Sequence, residues 1–346
     1  MRIGARTYRR VLVVLAAALV ASALLAVAAG AVWISPAQAI RLLASRIGFG
    51  GDGGISRPTE VILFQLRLPR VLLAAVVGAA LAVSGTMFQG LFRNPLADPA
   101  IIGVSSGAAL GAILVIVSAG AGALGLFGVP LAAFGGALLT AFLVYRLARI
   151  GPAVHVATLL LAGIAVAAVI SSLMSLVMSF SGQQIRDIYG WLLGGLVGRS
   201  WSSLTAVTPL VALGVVAAAA SAHDLNLLAL GEERAAQLGL EVDRCKRRSI
   251  AIGALLAAAA VSVAGVIGFV GLMTPHVLRL IVGADHRRLI PAVLLAGAIF
   301  MILADLAARL ALAPQELPVG ILTALLGGPF FLFLLRRERR GAGARG

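Results

Sequence analysis

The sequence predicts an all-α, polytopic membrane protein with ten transmembrane helices in a single domain, residues 1–346. Three observations carry that reading. Hydrophobic residues make up 61% of the chain and charged residues 12%, with a mean hydropathy of +1.06, whereas soluble domains run near about 45–50% apolar and about 25% charged. Charges are absent from residues 11–40, 71–92, 99–145, 150–185, 200–223, 249–278 and 289–304, and from 310–335 apart from Glu316. A spanning helix needs about 20 apolar residues, so the interval 99–145 has to hold two. The basic residues fall between these intervals, where loop charges set topology.

Taken in order, span one covers residues 11–34. Arg2, Arg6, Arg9 and Arg10 before it and Ala37-Gln38-Ala39 after it imitate a signal peptide. Secretory apolar cores run only about 7–15 residues, and this run is longer, so the span is expected to be retained. Residues 35–66 form an outer segment, first amphipathic, then glycine-rich at Gly48, Gly50, Gly51, Gly53 and Gly54, and expected as an exposed loop. Span two follows Pro69 and ends near residue 92. Spans three and four divide 101–145, with a turn at 120–130, and Arg146 and Arg149 close the pair.

Span five lies near 154–180. Residues 181–203 form a second outer segment with an amphipathic stretch at 185–198, where Tyr189, Trp191 and Trp201 are expected as headgroup anchors. Span six is 204–222, and a polar loop with a short helix occupies 223–248. Span seven is near 250–267; span eight, 269–282, is shorter and cut by Pro275. Spans nine (289–310) and ten (318–335) precede a basic tail at 336–340. With both termini on the cytoplasmic side, only Arg41, Arg46, Arg57, Arg67, Arg70, Arg186, Arg199 and Arg309 lie outside. The other 20 of the 28 basic residues lie inside, which favours this orientation over its inverse.

The net charge of +15 comes from arginines scattered between spans, without the basic stripe or motif of a nucleic-acid-binding protein. Cys245 is the single cysteine, so neither a disulfide framework nor a thiolate metal site is expected. His155, His223, His276 and His286 lack ligand partners at i+3 or i+4, and no catalytic constellation is present. Lys246 is the single lysine and sits outside any glycine-rich phosphate loop. The chain is therefore not expected to be an enzyme or to hold a cofactor. If ATP drives it, another subunit brings the site.

Four features stand out. The turn Arg93-Asn94-Pro95-Leu96-Ala97-Asp98-Pro99 interrupts the helical pattern, because both prolines forbid a continuous helix and Asn94 and Asp98 can cap backbone groups. It reads either as a connecting loop or as a constriction beside a path. Residues 228–240 read as one short helix with Glu232 and Glu233 at its positive end and Gly239 as its stop. Leu230, Ala235 and Leu238 can form an apolar side, and a helix this short needs something to dock on. Asp305 and Arg309, at i and i+4 in span nine, are either a mutual salt bridge or a functional pair. Glycines such as Gly78, Gly85, Gly103, Gly107 and Gly111 allow close helix approach. Residues 82–95 also echo 262–275, a candidate inverted repeat of the kind found in transporters.

At these residues the chain resembles a family. The run RLPRVLLAAVVGAALAVSGTMFQGLFRNPLADPAIIGVSSGAALG (67–111) is similar to the permease subunits of ABC importers for iron-siderophores, haem and cobalamin, the type II importer fold. The likeness continues through LLLAG (159–163), LALGEERAAQLGL (228–240), GFVGLMTPHVLRL (268–280), ADHRRLIP (284–291), LADLAARL (303–310) and ELPVGILTALLGGPFF (316–331). It covers nearly the whole chain after span one.

The resemblance implies a multi-pass protein of the bacterial inner membrane. It implies a second permease copy forming a homodimer, two cytoplasmic ATPase subunits that carry ATP and Mg, and a periplasmic or lipid-anchored substrate-binding protein. Carried over by position, Arg67, Arg70 and Arg309 would receive the binding protein. Residues 71–92 would wall the path, and Asn94, Pro95 and Leu96 would narrow it. Gly231, Glu232, Glu233, Arg234, Ala235, Ala236, Leu238 and Gly239 would form the coupling segment on the ATPase. His155 stands where relatives often carry small polar residues, so a gate role there stays open. The cargo implied is an iron chelate, siderophore or haem, with cobalamin as the alternative. The rival of another class, a secondary transporter working alone, needs membrane carboxylates for coupling, and only Asp305 is a candidate.

Overall fold

Helix α1 (Ala5–Ala28) is followed by α2 (Pro36–Arg46), α3 (Arg57–Val61) and α4 (Leu68–Phe92), the last two joined by a π-helical stretch, Ile62–Arg67. A 3-10 turn, Pro99–Ile102, leads into α5 (Val104–Ala119) and another, Gly125–Phe127, into α6 (Gly128–Leu147). A two-residue ribbon, β1 (Arg149–Ile150) against β2 (Ala153–Val154), links α6 to α7 (Val156–Ser179). Then come α8 (Ile185–Leu192), α9 (Trp201–Ala220), α10 (Ala222–Leu228), α11 (Glu232–Gln237) and α12 (Val242–Ala264). Helices α13 (Val270–Val282), α14 (His286–Leu310) and α15 (Val319–Gly343) complete the chain. The structure is a computed structural model and describes residues 4–30, 32–46, 48, 56–119, 125–151 and 153–343. The expected glycine run at 50–54 and positions 120–124 of the expected turn lie outside them.

Among the described residues, seven stretches are long and apolar enough to cross a membrane: α1, the continuous Arg57–Phe92, α6, α7, α9, α12 and α14. Three shorter apolar helices accompany them, in α5, α13 and α15. The centre of the bundle is α4, where every residue in 77–92 is buried, against α9, α12, α13 and α14. Small residues make this possible. A Cβ on Gly78 would fall on the Gly297 carbonyl of α14, and one on Gly85 would fall on the Gly271 carbonyl of α13. The expected role of 71–92 as a wall of a path therefore gives way to that of a core helix.

Pro275 does not cut α13, contrary to expectation; the helix runs through it. Lacking an N–H, proline leaves the carbonyl four residues earlier unpaired, and that carbonyl, on Gly271, abuts Gly85. Only a residue without a side chain leaves room for that carbonyl at position 85. Gly85→Val should therefore push α4 off α13 and cost at least about 3 kcal/mol, the upper end of overpacking penalties. Thermal unfolding in detergent measures it. Gly135→Ala is the control: its Cβ would meet open space, and the substitution should be neutral or stabilising by about 0.5–1 kcal/mol.

Other boundaries also moved. The helix of span two starts at Arg57, well before Pro69, and runs through a π-helical stretch, Ile62–Arg67, into the proline. Part of the expected outer loop is thus helical, as is α2. The expected break between spans seven and eight falls inside the second half of the internal echo, residues 262–275: α12 stops at Gly265 (φ 69) and α13 restarts after Phe269 (φ 68). The left-handed Phe269 is a strained position for a bulky residue, and its ring rests where a side chain at Gly327 of α15 would stand. Trp191, an expected headgroup anchor, is buried at 8% exposure, while Tyr189 is exposed. Trp201 donates its indole N–H to the Phe64 carbonyl at 2.8 Å.

Candidate functional site

At the start of α4, the end of α14 and the end of α1, three arginines and two carboxylates form one cluster. Arg70 holds Asp305 through Nε (3.1 Å) and Nη2 (2.9 Å), and Glu316 through Nη1 (2.8 Å). Asp305 is 1% exposed and also faces Arg309 Nε at 3.2 Å, an ion pair not aligned as a hydrogen bond. Arg309 gives Nη2 to the Ala26 carbonyl at 3.0 Å. Arg67 gives Nη1 to Val27 and Ala28 at 2.8 and 2.9 Å, and Nη2 to Val32. The last carbonyls of a helix have no partner within it. Here two guanidiniums from elsewhere in the chain cap those of α1, where the helix dipole favours cations.

The expected docking arginines are thus found together, but two of them are buried, Arg67 at 7% and Arg309 at 9% exposure. Their visible work is internal: they fasten α1 to α4 and α14. Arg70 differs, because its second carboxylate, Glu316, is about a third exposed. All three arginines line a cleft of about 480 Å³ together with Arg199 and Glu316. A larger cavity of about 770 Å³ lies beside it, lined by Arg186, Asp187, Trp191, Arg199 and Glu316 among others. Arg199 is half-buried and has no acidic partner within 4 Å among the described residues. The cleft therefore carries a surplus of positive charge.

The other end of α4 lies roughly 37 Å away, from its 25 residues at about 1.5 Å each. There Arg93 takes a left-handed conformation (φ 50) and ends the helix. Asn94 Oδ1 accepts from Leu96 N at 2.9 Å, and Asp98 Oδ1 accepts from Ala100 N at 2.8 Å, capping the next 3-10 turn. The Asn94-Pro95-Leu96 turn is thus a rigid structure, with Asn94 exposed and the other two half-buried.

Beside it, residues 228–240 are not one helix as expected. Gly231, at φ 108, separates α10 from α11, because no helix accommodates that backbone angle. Gly231 nonetheless starts α11 by accepting from Ala235 N at 2.9 Å, and Gly239, at φ 87, stops it. Ala235 faces inward at 0% exposure, whereas Leu230 (53%) and Leu238 (59%) face out. Glu233, Arg234 and Ala236 are exposed between them, and Glu232 is half-buried. The expected single apolar side is therefore split, with one anchor turned in and two leucines left outside.

Helix α10 is fixed by Asn226, which donates to Asp285 Oδ1 at 2.6 Å and accepts from His286 N at 2.9 Å. Asp285 itself caps α14 by accepting from Arg287 N at 3.0 Å. Burial works to raise the Asp285 carboxyl, but the Asn226 and Arg287 hydrogen bonds, with Arg288 and Arg287 nearby, hold it below its ordinary range. Sequence reasoning missed this clamp, although an aspartate just before a helix is a recognisable cap signal.

Comparison with known proteins bears directly on this arrangement. The FecCD transport family matches residues 18–337. The cobalamin import system permease protein of Halobacterium salinarum is 48% identical over 288 residues, 83% of this chain and 77% of that protein. The hemin transport system permease protein of Yersinia pestis is 47% identical over 281 residues, 80% of this chain and 84% of that one. A solved inward-facing transporter, assigned to the metal-chelate ABC type, superposes with a TM-score of 0.84 at 33% identity, covering 95% of this chain and 99% of its own.

Proposed function

Because this chain belongs to the FecCD transport family, we propose that it is the membrane permease of an ATP-driven importer for a bulky metal chelate, fed by a periplasmic or lipid-anchored binding protein. The observation that carries this is the superposition over 95% of the chain on an ABC transporter of metal-chelate type. The cargo proposed first is an iron chelate, haem or a siderophore, which the hemin permease of Yersinia pestis supports. Cobalamin is the second reading, supported by the Halobacterium salinarum relative.

The seven long spans and the three shorter apolar helices together make the ten crossings of one permease domain, with both termini inside. In a bacterial inner membrane, the arginine end then faces out and the α11 end faces the cytoplasm. A second copy completes the path. Helix α7, only 22% buried within its own chain, has the free surface for that pairing, and Asn94, Pro95 and Leu96 narrow the inner end.

ATP is bound and hydrolysed on two separate subunits. The segment Gly231–Gly239, together with Leu230 just before it, seats on them through Leu230, Leu238, Glu233, Arg234 and Ala236, with Ala235 and Glu232 holding it to the chain. Co-purification tests this reading: the tagged chain should retain a separate ATPase in detergent, and isolation without one, in every detergent that preserves the fold, would contradict it.

The arginine cleft serves as the docking surface for carboxylates of the binding protein. Arg67 and Arg309 supply fixed positive charge, and Arg70 exchanges Glu316 for an incoming acid. Glu316→Gln should then tighten docking by about 1 kcal/mol or more, roughly fivefold in Kd, since it removes the competing charge. Surface plasmon resonance at two salt concentrations measures it. Weaker docking would show that Glu316 is itself a contact and that Arg70 is not the receptor.

A further inference from the structure

We propose that Lys246 is a positioning residue that ties α11 to the first turn of α7, so that displacement of α11 is delivered to that helix; this rests on the reading of α11 as the ATPase-docking segment. The single lysine of the chain stands in the first turns of α12 with 4% of its side chain exposed. Its Nζ donates to Glu232 Oε2 at 2.7 Å and to the Val154 carbonyl at 2.9 Å. Glu232 is the first residue of α11, and Val154 is the last of β2. The next residue, His155, is the N-cap of α7 and accepts from Leu159 N at 2.9 Å. One ammonium therefore joins three elements.

The same residue is held through its other backbone group. Val154 N donates to Asp243 Oδ1 at 3.1 Å. Asp243 and Lys246, three residues apart in α12, lie on one face of that helix and grip both the N–H and the C=O of Val154. Helix α12 is 78% buried over its apolar window and α7 only 22%. The junction therefore connects a fixed core helix, a small exposed helix and a span that its own chain holds loosely.

Energetics argue that the charge serves something other than stability. Burying an ammonium is expensive, and well-packed apolar replacements of buried ion pairs are often neutral or stabilising. A methionine at 246 would fill most of the same volume, and Glu232, 40% exposed, would return to water. What methionine cannot do is hold Glu232 and Val154 together. Lys246→Met should leave folding and assembly intact and break the mechanical link.

The experiment uses the full complex of this chain with its ATPase and binding protein in proteoliposomes, with cargo uptake and ATP hydrolysis measured in parallel. Lys246→Met is expected to keep ATP hydrolysis while uptake per ATP falls about tenfold or more, the effect of losing one charge-assisted hydrogen bond between moving parts. Glu232→Gln, which spares the Val154 bond, should lower it less. The double variant should do no worse than Lys246→Met alone, because the two residues act through one link. A general structural defect would instead lower assembly, hydrolysis and uptake together.

Unchanged uptake per ATP in assembled Lys246→Met overturns the proposal. If that variant fails to assemble, Glu232→Gln decides, and wild-type coupling there overturns it. Additive losses in the double variant also overturn it. Absence of ATP-driven uptake in the wild-type complex overturns the ATPase-docking reading first, and is distinguishable because no Lys246 variant is needed to see it.

Discussion

Asp305→Ala is expected to destabilise the protein by about 3–5 kcal/mol, the cost of removing one partner from a buried ion pair. Asp305 is 1% exposed and, among the described residues, is the one carboxylate within 4 Å of Arg309; it also takes two donors from Arg70. Without it, Arg309 stays buried with only α1 carbonyls, and Arg70 keeps Glu316 alone. The damage should spread to α1, because Arg67 and Arg309 cap its last carbonyls. Thermal unfolding in detergent measures the loss, and protease susceptibility of α1 reports its release. The exposed pair Arg46–Glu60 is the control: Glu60→Gln should change stability by less than about 1 kcal/mol. Equal stability of Asp305→Ala and wild type would mean that the cluster does not hold these helices together.

Leu238→Asp is expected to abolish ATPase retention while leaving the fold untouched. Leu238 and Leu230 flank α11 and are each more than half exposed, so each contributes little to packing within the chain. Burying one such leucine against a partner is worth about 1.5–3 kcal/mol, roughly 10- to 100-fold in Kd. Replacing it with a charge adds a desolvation cost. Pull-down of the ATPase by the tagged chain is the measurement, with the unfolding temperature as the check on folding. Normal retention by Leu238→Asp would place the ATPase contact elsewhere.

Span positions were legible because each needs only a local apolar run. Length did not set depth: the deepest helices, α4 and α12, come from the runs 71–92 and 249–278, neither of them the longest. What failed to show was any feature made by distant partners. Arg67 and Arg309 looked like outward-facing charges, since nothing local says that they cap carbonyls of residues 26–29. Trp191 looked interfacial because aromatic residues near span ends usually are, yet it is buried, with its backbone carbonyl close against Gly265. Pro275 looked like a helix break, and only the crossing with Gly85 shows how α13 tolerates it.

The candidate sites divide the same way. Motif matching brought Arg67, Arg70 and Arg309 to one cluster, and placed 94–96 and 231–239 at the other end. It could not tell which of these side chains were already occupied. Leu230 and Leu238 looked equivalent to Ala235 in a helical pattern. A glycine at φ 108 turned Ala235 inward and left the leucines outside.

ATP-driven movement of a metal chelate through this chain is measured by uptake into proteoliposomes. The permease, its ATPase and its binding protein are reconstituted, and labelled haem, a ferric siderophore and cobalamin are offered separately, with ATP or a non-hydrolysable analogue inside. One of the three should accumulate with ATP alone, dependent on the binding protein and indifferent to dissipating the proton and sodium gradients. Accumulation that follows an ion gradient and ignores ATP would instead make the chain a secondary transporter.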